Sequence, residues 1–168
     1  IPEDVDLAAN GGYFDPANFV AVKVGDVNGS ASPNSLLGSD TRTFDGTLTL
    51  QVEATKVEGG ETFTVDFRAK DFANISGYQF TLGFDNNAIE FVDVITNLEN
   101  LGTNNFGLTK LEEGVITTSW NNSKGISVDE DAILFSMTFV ANNTITTNEI
   151  FKINSRYTAS EAYANDNI

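Results

Sequence analysis

Four carboxylates, Asp66, Asp85, Glu90 and Asp93, stand in or beside stretches of alternating apolar residues. Two such groups facing each other across a cleft can hydrolyse a glycosidic bond, one as acid and the other as base or nucleophile. Alternation gives each of the four a simpler place, on the solvated side of a half-buried strand, and we adopt that reading. Trp120 and the tyrosines could stack on sugar rings, but one Trp without a row of aromatic partners is more often core or edge filler. Neither His nor Cys occurs in the chain. That excludes Ser-His-Asp triads, Cys or His nucleophiles, zinc sites built on those ligands, and disulfides. Stability outside a cell would then have to come from packing or from metal ions.

The 168 residues carry 24 acidic and 9 basic side chains, a net charge of −15. Such a surface repels nucleic acid and anionic membranes and attracts divalent cations. Plain solubilisation and a specific calcium role account for it equally well. The longest apolar runs are a few residues, so no membrane-spanning helix is expected. No signal peptide is visible and Ile1 is not a start residue, so the chain reads as a mature or excised piece. Asn-x-Ser/Thr sequons stand at Asn28, Asn74, Asn121 and Asn142. They arise easily in a turn-rich chain and act only where the glycosylation machinery exists.

The strongest pattern is Ile75–Val94. Tyr78, Phe80, Leu82 and Phe84 alternate with polar or small residues, which places four large apolar groups on one strand face. Asp85-Asn86-Asn87 follows, a turn whose side chains can cap their own backbone. A second strand runs through Ile89, Phe91 and Val92. Similar strands carry Leu48, Leu50, Val52 and Ala54, then Phe63, Val65, Phe67 and Ala69 after the Glu58-Gly59-Gly60 turn. Phe106, Leu108 and Leu111 read as another, turned by Glu112-Glu113-Gly114. Val115–Trp120, then Ile133, Phe135, Met137 and Phe139, and finally Ile150–Tyr157 complete the set. At least eight short strands with turns between them predict an all-β sandwich or jelly roll. The tail Ala159–Ile168 is small and polar, where a sandwich would want one more apolar strand.

Residues 1–35 differ in composition, and 36–46 read as a linker before a domain at 47–168. Asp15-Pro16 has the form of a helix start. The following Phe19–Val24 could be a short helix, or a strand on the alternation of Val20, Val22 and Val24.

From about Thr47 onward the chain resembles a cohesin module. Leu48-Thr-Leu-Gln-Val, Phe63-Thr-Val-Asp-Phe, Ile75-Ser-Gly-Tyr-Gln-Phe-Thr-Leu-Gly-Phe-Asp with Ala88-Ile-Glu-Phe-Val, and Ile133-Leu-Phe-Ser-Met-Thr-Phe carry that resemblance. It implies a nine-stranded jelly-roll sandwich related to carbohydrate-binding modules. It also implies a non-catalytic module that docks a dockerin partner in extracellular assemblies. Asn18-Phe-Val-Ala-Val-Lys-Val-Gly-Asp-Val-Asn-Gly-Ser30 is similar to the second half of a dockerin, as joined to cohesin-like modules in secreted proteins of Bacteroidetes type. Dockerin loops hold calcium through oxygens at alternate positions. Asp26, Asn28 and Ser30 match the first three such positions, but Gly38 stands where the twelfth should be acidic. An upstream frame places Asp4, Asp6, Asn10 and Asp15 at positions one, three, seven and twelve, with Ala9 in place of the usual glycine. The first dockerin repeat is absent.

The expectation is thus a secreted or cell-surface interaction module that is not an enzyme, with calcium as a candidate cofactor. Its partner is a dockerin-like module or a copy of itself, with carbohydrate, through Trp120, as the competing class. Self-assembly has two motives. One is the open sheet edge left by the tail. The other is the apolar run Phe19, Val20, Val22 and Val24, which a neighbouring chain could receive as a donated strand.

Overall fold

A computed structural model of the chain describes residues 17–23 and 47–164. Twelve strands follow one another: β1 Ala17–Lys23, β2 Thr47–Glu53, β3 Lys56–Val57, β4 Thr62–Lys70, β5 Ile75–Phe84, β6 Ile89–Thr96, β7 Phe106–Gly107, β8 Val115–Ile126, β9 Ile133–Ala141, β10 Ile145–Thr146, β11 Phe151–Asn154 and β12 Glu161–Ala164. Helical structure among the described residues is confined to three single 3-10 turns. One sheet runs β1-β2-β4-β9-β6. A second runs β11-β5-β8-β7, with β12 also paired to β5, and β10 and β3 form a small two-stranded antiparallel ladder. All pairings are antiparallel.

The expected alternation builds the core. Tyr78, Phe80 and Leu82 of β5 face Phe67 of β4 and Phe135, Met137 and Phe139 of β9 within one continuous buried cluster. Phe67 stacks on Phe135 at 4.6 Å between ring centroids and meets Phe151 edge-on at 5.7 Å, so aromatic contacts cross from sheet to sheet. The Asp85 carboxylate accepts the Asn87 N–H at 2.9 Å, capping the turn as its residue types required.

One open reading is resolved and three expectations change. The segment read as helix or strand is a strand over Ala17–Lys23, and it lies along β2 of its own chain, from Ala17 opposite Glu53 to Lys23 opposite Thr47. The tail does hold a strand. β12 pairs with Gln79, Tyr78, Gly77 and Ile75, and Ala162 is fully buried. One small residue suffices there because Tyr78 opposite already fills the core. β11 ends at Asn154, short of the expected Tyr157. β7 keeps only Phe106–Gly107; Leu108 is exposed, and Leu111 lies in a 3-10 turn closed by Gly114. A Cβ on Gly114 (φ +68°) would overlap the Phe84 carbonyl, so only glycine fits. Val92 sits in a bulge between Phe91 and Asp93 and is exposed, while Val94 takes the inward place.

Candidate functional site

The sequence-predicted residues separate on folding. Asp66 accepts Ser136 Oγ at 2.7 Å and pairs with Arg68 at 3.0 Å. Asp93 accepts the backbone N–H of Val94 at 2.8 Å. Glu90 lies with Glu112 on the rim of a groove of about 360 Å³ floored by Phe84, Phe91 and Leu111. Both glutamates are exposed, whereas a glycosidase acid is desolvated by its pocket. Trp120 is buried to 2% exposure. Its indole N–H donates to the Glu99 carbonyl at 2.9 Å, and its ring packs against Tyr78 and Phe72. No ring face is left for a sugar, which corrects the glycan contact assigned to it. Asp4, Asp6, Asp15, Val24, Asp26, Asn28 and Ser30 lie outside the described residues, so the calcium ligands are not placed. Among the described residues no group of acidic side chains is arranged to hold a metal.

What the fold does assemble is two broad outward faces. On the β4-β9 face charges are tied laterally. Asp66 holds Arg68 and Ser136, and Thr64 and Thr138 share a hydrogen bond of 3.1 Å. The opposite face has a different chemistry. Because Tyr78, Phe80 and Leu82 point inward, Gly77, Gln79, Thr81 and Gly83 of β5 point out. Because Ile116, Thr118 and Trp120 point inward, Thr117, Ser119 and Asn121 of β8 point out. No charge occurs among these seven, in a chain with 24 acids. Lys152 and Glu161 flank them from β11 and β12.

Several contacts fix this neutral face. Gln79 Nε2 donates to Glu161 at 3.2 Å, and the Tyr163 hydroxyl donates to the same carboxylate. Desolvation, and then the Glu161 carboxylate, push the Tyr163 phenol up to about 12. The Tyr163 ring lies over Gly77, where a Cβ would meet it at 3.3 Å. The segment 155–160 crosses the face above Thr81. That hydroxyl accepts the N–H groups of Tyr157 and Thr158 at 3.2 and 2.9 Å and donates to the Thr158 carbonyl at 3.2 Å. Beside the crossing, Glu113 receives hydrogen bonds from Lys110, Arg156 and the Tyr157 hydroxyl. The hydrogen bond from Lys110 is the main reason its carboxyl lies below the ordinary range. No motif marked this face; the available signal was the lack of charge at alternate positions of two strands.

The fold is thus a β-sandwich that presents one neutral, hydroxyl- and amide-rich face. The cohesin domain model matches residues 48–167, and the chain belongs to the cohesin family. It is therefore a non-catalytic interaction module and not an enzyme. No curated protein matches it. Among solved structures it is similar to a cohesin of Clostridium acetobutylicum, at 14% identity over 67% of this chain and 89% of that one, with a TM-score of 0.43. It is also similar to the OlpA cohesin of Clostridium thermocellum, solved in complex with a dockerin, at 9% identity over 67% and 97%, TM-score 0.43. A third is the seventh ScaB type I cohesin of Pseudobacteroides cellulosolvens, at 21% identity over 64% and 79%, TM-score 0.42.

Proposed function

We propose that this module receives a dockerin-type partner on the neutral face of β5 and β8, outside the cell or on its surface. Family membership supports the kind of partner, and the charge-free row Gln79–Ser119–Asn121 is the observation that carries the choice of face. The centres of protein interfaces are depleted of charge, because every buried ion must be desolvated. Hydroxyls and amides cost less to desolvate and can hydrogen-bond to donors and acceptors alike. A surface with 24 acids would otherwise repel any acidic partner.

The test is isothermal titration of the full chain against a panel of purified dockerins. We expect at least one to bind. Replacing Ser119 and Asn121 together by Arg should weaken it about 100-fold or more, because two charges would be buried unpaired. Thr64→Arg on the opposite face should leave it unchanged. Equal loss from both faces, or no binding by any dockerin, removes the proposal. Calcium on Asp26, Asn28 and Ser30, with Asp4, Asp6 or Asp15, is proposed from the sequence spacing alone. Running the series with calcium and with chelator tests it: identical unfolding temperatures in both would rule it out.

A further inference from the structure

We propose that strand β1 is exchangeable between copies of this chain, so that the β2 edge of one molecule takes up residues 17–23 of another. With β1 set aside, the two edges of its sheet, β2 and β6, are built differently. β6 is interrupted by the bulge at Val92 and carries Glu90 and Asp93, devices that keep other strands from adding to an edge. β2 has neither. Its stretch 47–52 is without charge, Gly or Pro, and it pairs with β1 in unbroken register over seven residues. An edge of that kind has to be covered, and β1 covers it.

The connection does not require that the cover come from the same molecule. Lys23 and Thr47 are register partners, so a tight hairpin of about two residues would join β1 to β2. The chain uses the 23 residues from 24 to 46. Fully extended, these would span at most about 80 Å. The β1–β2 ladder is the same whether the strand comes from its own chain or from a neighbour, so exchange creates no new interface and loses none. Only the effective concentration of the tethered strand favours the closed form, and for a connection of this length that is on the order of millimolar. Exchange should therefore become substantial where copies are crowded to similar concentrations.

The chain has no cysteine, which permits a direct test in full-length protein. Ala21 and Thr49 are register partners. Two single variants, Ala21→Cys and Thr49→Cys, one of them enlarged by a tag, are mixed at about millimolar concentration and oxidised. The expected product is a mixed-size disulfide dimer, at least about tenfold above the yield of Ala21→Cys with Thr64→Cys, whose second site lies on β4 away from β1. Its yield should fall steeply on dilution. Light scattering of the unmodified chain should show dimers growing over the same range. The double variant Ala21→Cys/Thr49→Cys reports the register within one chain. If it closes internally while the mixed pair does no better than the Thr64 control, exchange is overturned. Failure of the double variant to close overturns it too, by removing the β1–β2 register.

Discussion

The two outward faces of this sandwich start from the same pattern and end with different chemistry. Both are the polar half of strands whose other half is aromatic. On β4 and β9 the outward groups engage one another, Asp66 with Arg68 and Ser136, Thr64 with Thr138. On β5 and β8 the outward groups carry no charge, and their hydrogen bonds to neighbours come from the flanking strands and the crossing at 155–160. A face whose charges are already paired offers little to a partner. A neutral face braced by hydrogen bonds from its neighbours can be covered at small desolvation cost. Inward residues decide stability, while the outward residues next to them are left free to decide binding.

The sharpest way to break that division lies on β8, where Trp120 points in between Ser119 and Asn121, which point out. Trp120→Ala should destabilise the fold by about 3–5 kcal/mol through the cavity it leaves. Urea unfolding measures this, and a loss below about 1 kcal/mol would mean that the inward face is not what holds the sheet together. Thr81→Val is the intermediate case, since Thr81 sits on the neutral face yet is fully buried under the crossing. It leaves the Tyr157 and Thr158 N–H groups without their acceptor and should cost about 1–3 kcal/mol. Hydrogen exchange should speed up at those two amides first; unchanged protection there would show that the crossing is held elsewhere.

The smallest effect concerns Glu113. Its folded pKa lies below the ordinary carboxylate value, so its contribution is present above the unfolded carboxylate range and lost as pH falls through the folded value. Acidification below about pH 4 should loosen Tyr157, with its Lys110 and Arg156 contacts, before the core opens. Tyrosine fluorescence at low pH, compared with Glu113→Gln at neutral pH, checks this. A variant that behaves like the parent at both pH values would remove the latch.

The interior was legible wherever a strand keeps strict alternation. Phe63–Ala69, Tyr78–Leu82 and Phe135–Phe139 each follow the period of two, and the Asp85 turn announces itself by residue type. Reading failed where backbone geometry changes parity. Counting by two from Ile89 and Phe91 would turn Asp93 and Ile95 inward, but the bulge shifts the parity so that Val94 is buried and Ile95 exposed, and period counting cannot see an inserted residue. It failed again at β12, because a strand whose buried residue is Ala162 carries almost no hydrophobic signal. Trp120 was ambiguous, since burial depends on Tyr78, Phe72 and the Glu99 carbonyl, all distant in sequence. The neutral face drew no notice because it is marked by missing charge, and sequence motifs are defined by what is present.

The double pairing on the outer side of β5 bears on how fast the chain can fold. That side is closed by β11 and β12, with Glu161 opposite Gln79 and Phe151 opposite Phe84. In the other sheet β4 waits for β9, with Thr62 opposite Val140. Nearly every ladder of the core joins partners far apart along the chain, so loop entropy must be spent before contacts return it. During synthesis β4, β5 and β6 emerge long before the strands that close them. Completion then falls to the least hydrophobic strand of all, Glu161–Ala164, and a nascent chain stalled before it would expose one flank of β5 as a pairing surface.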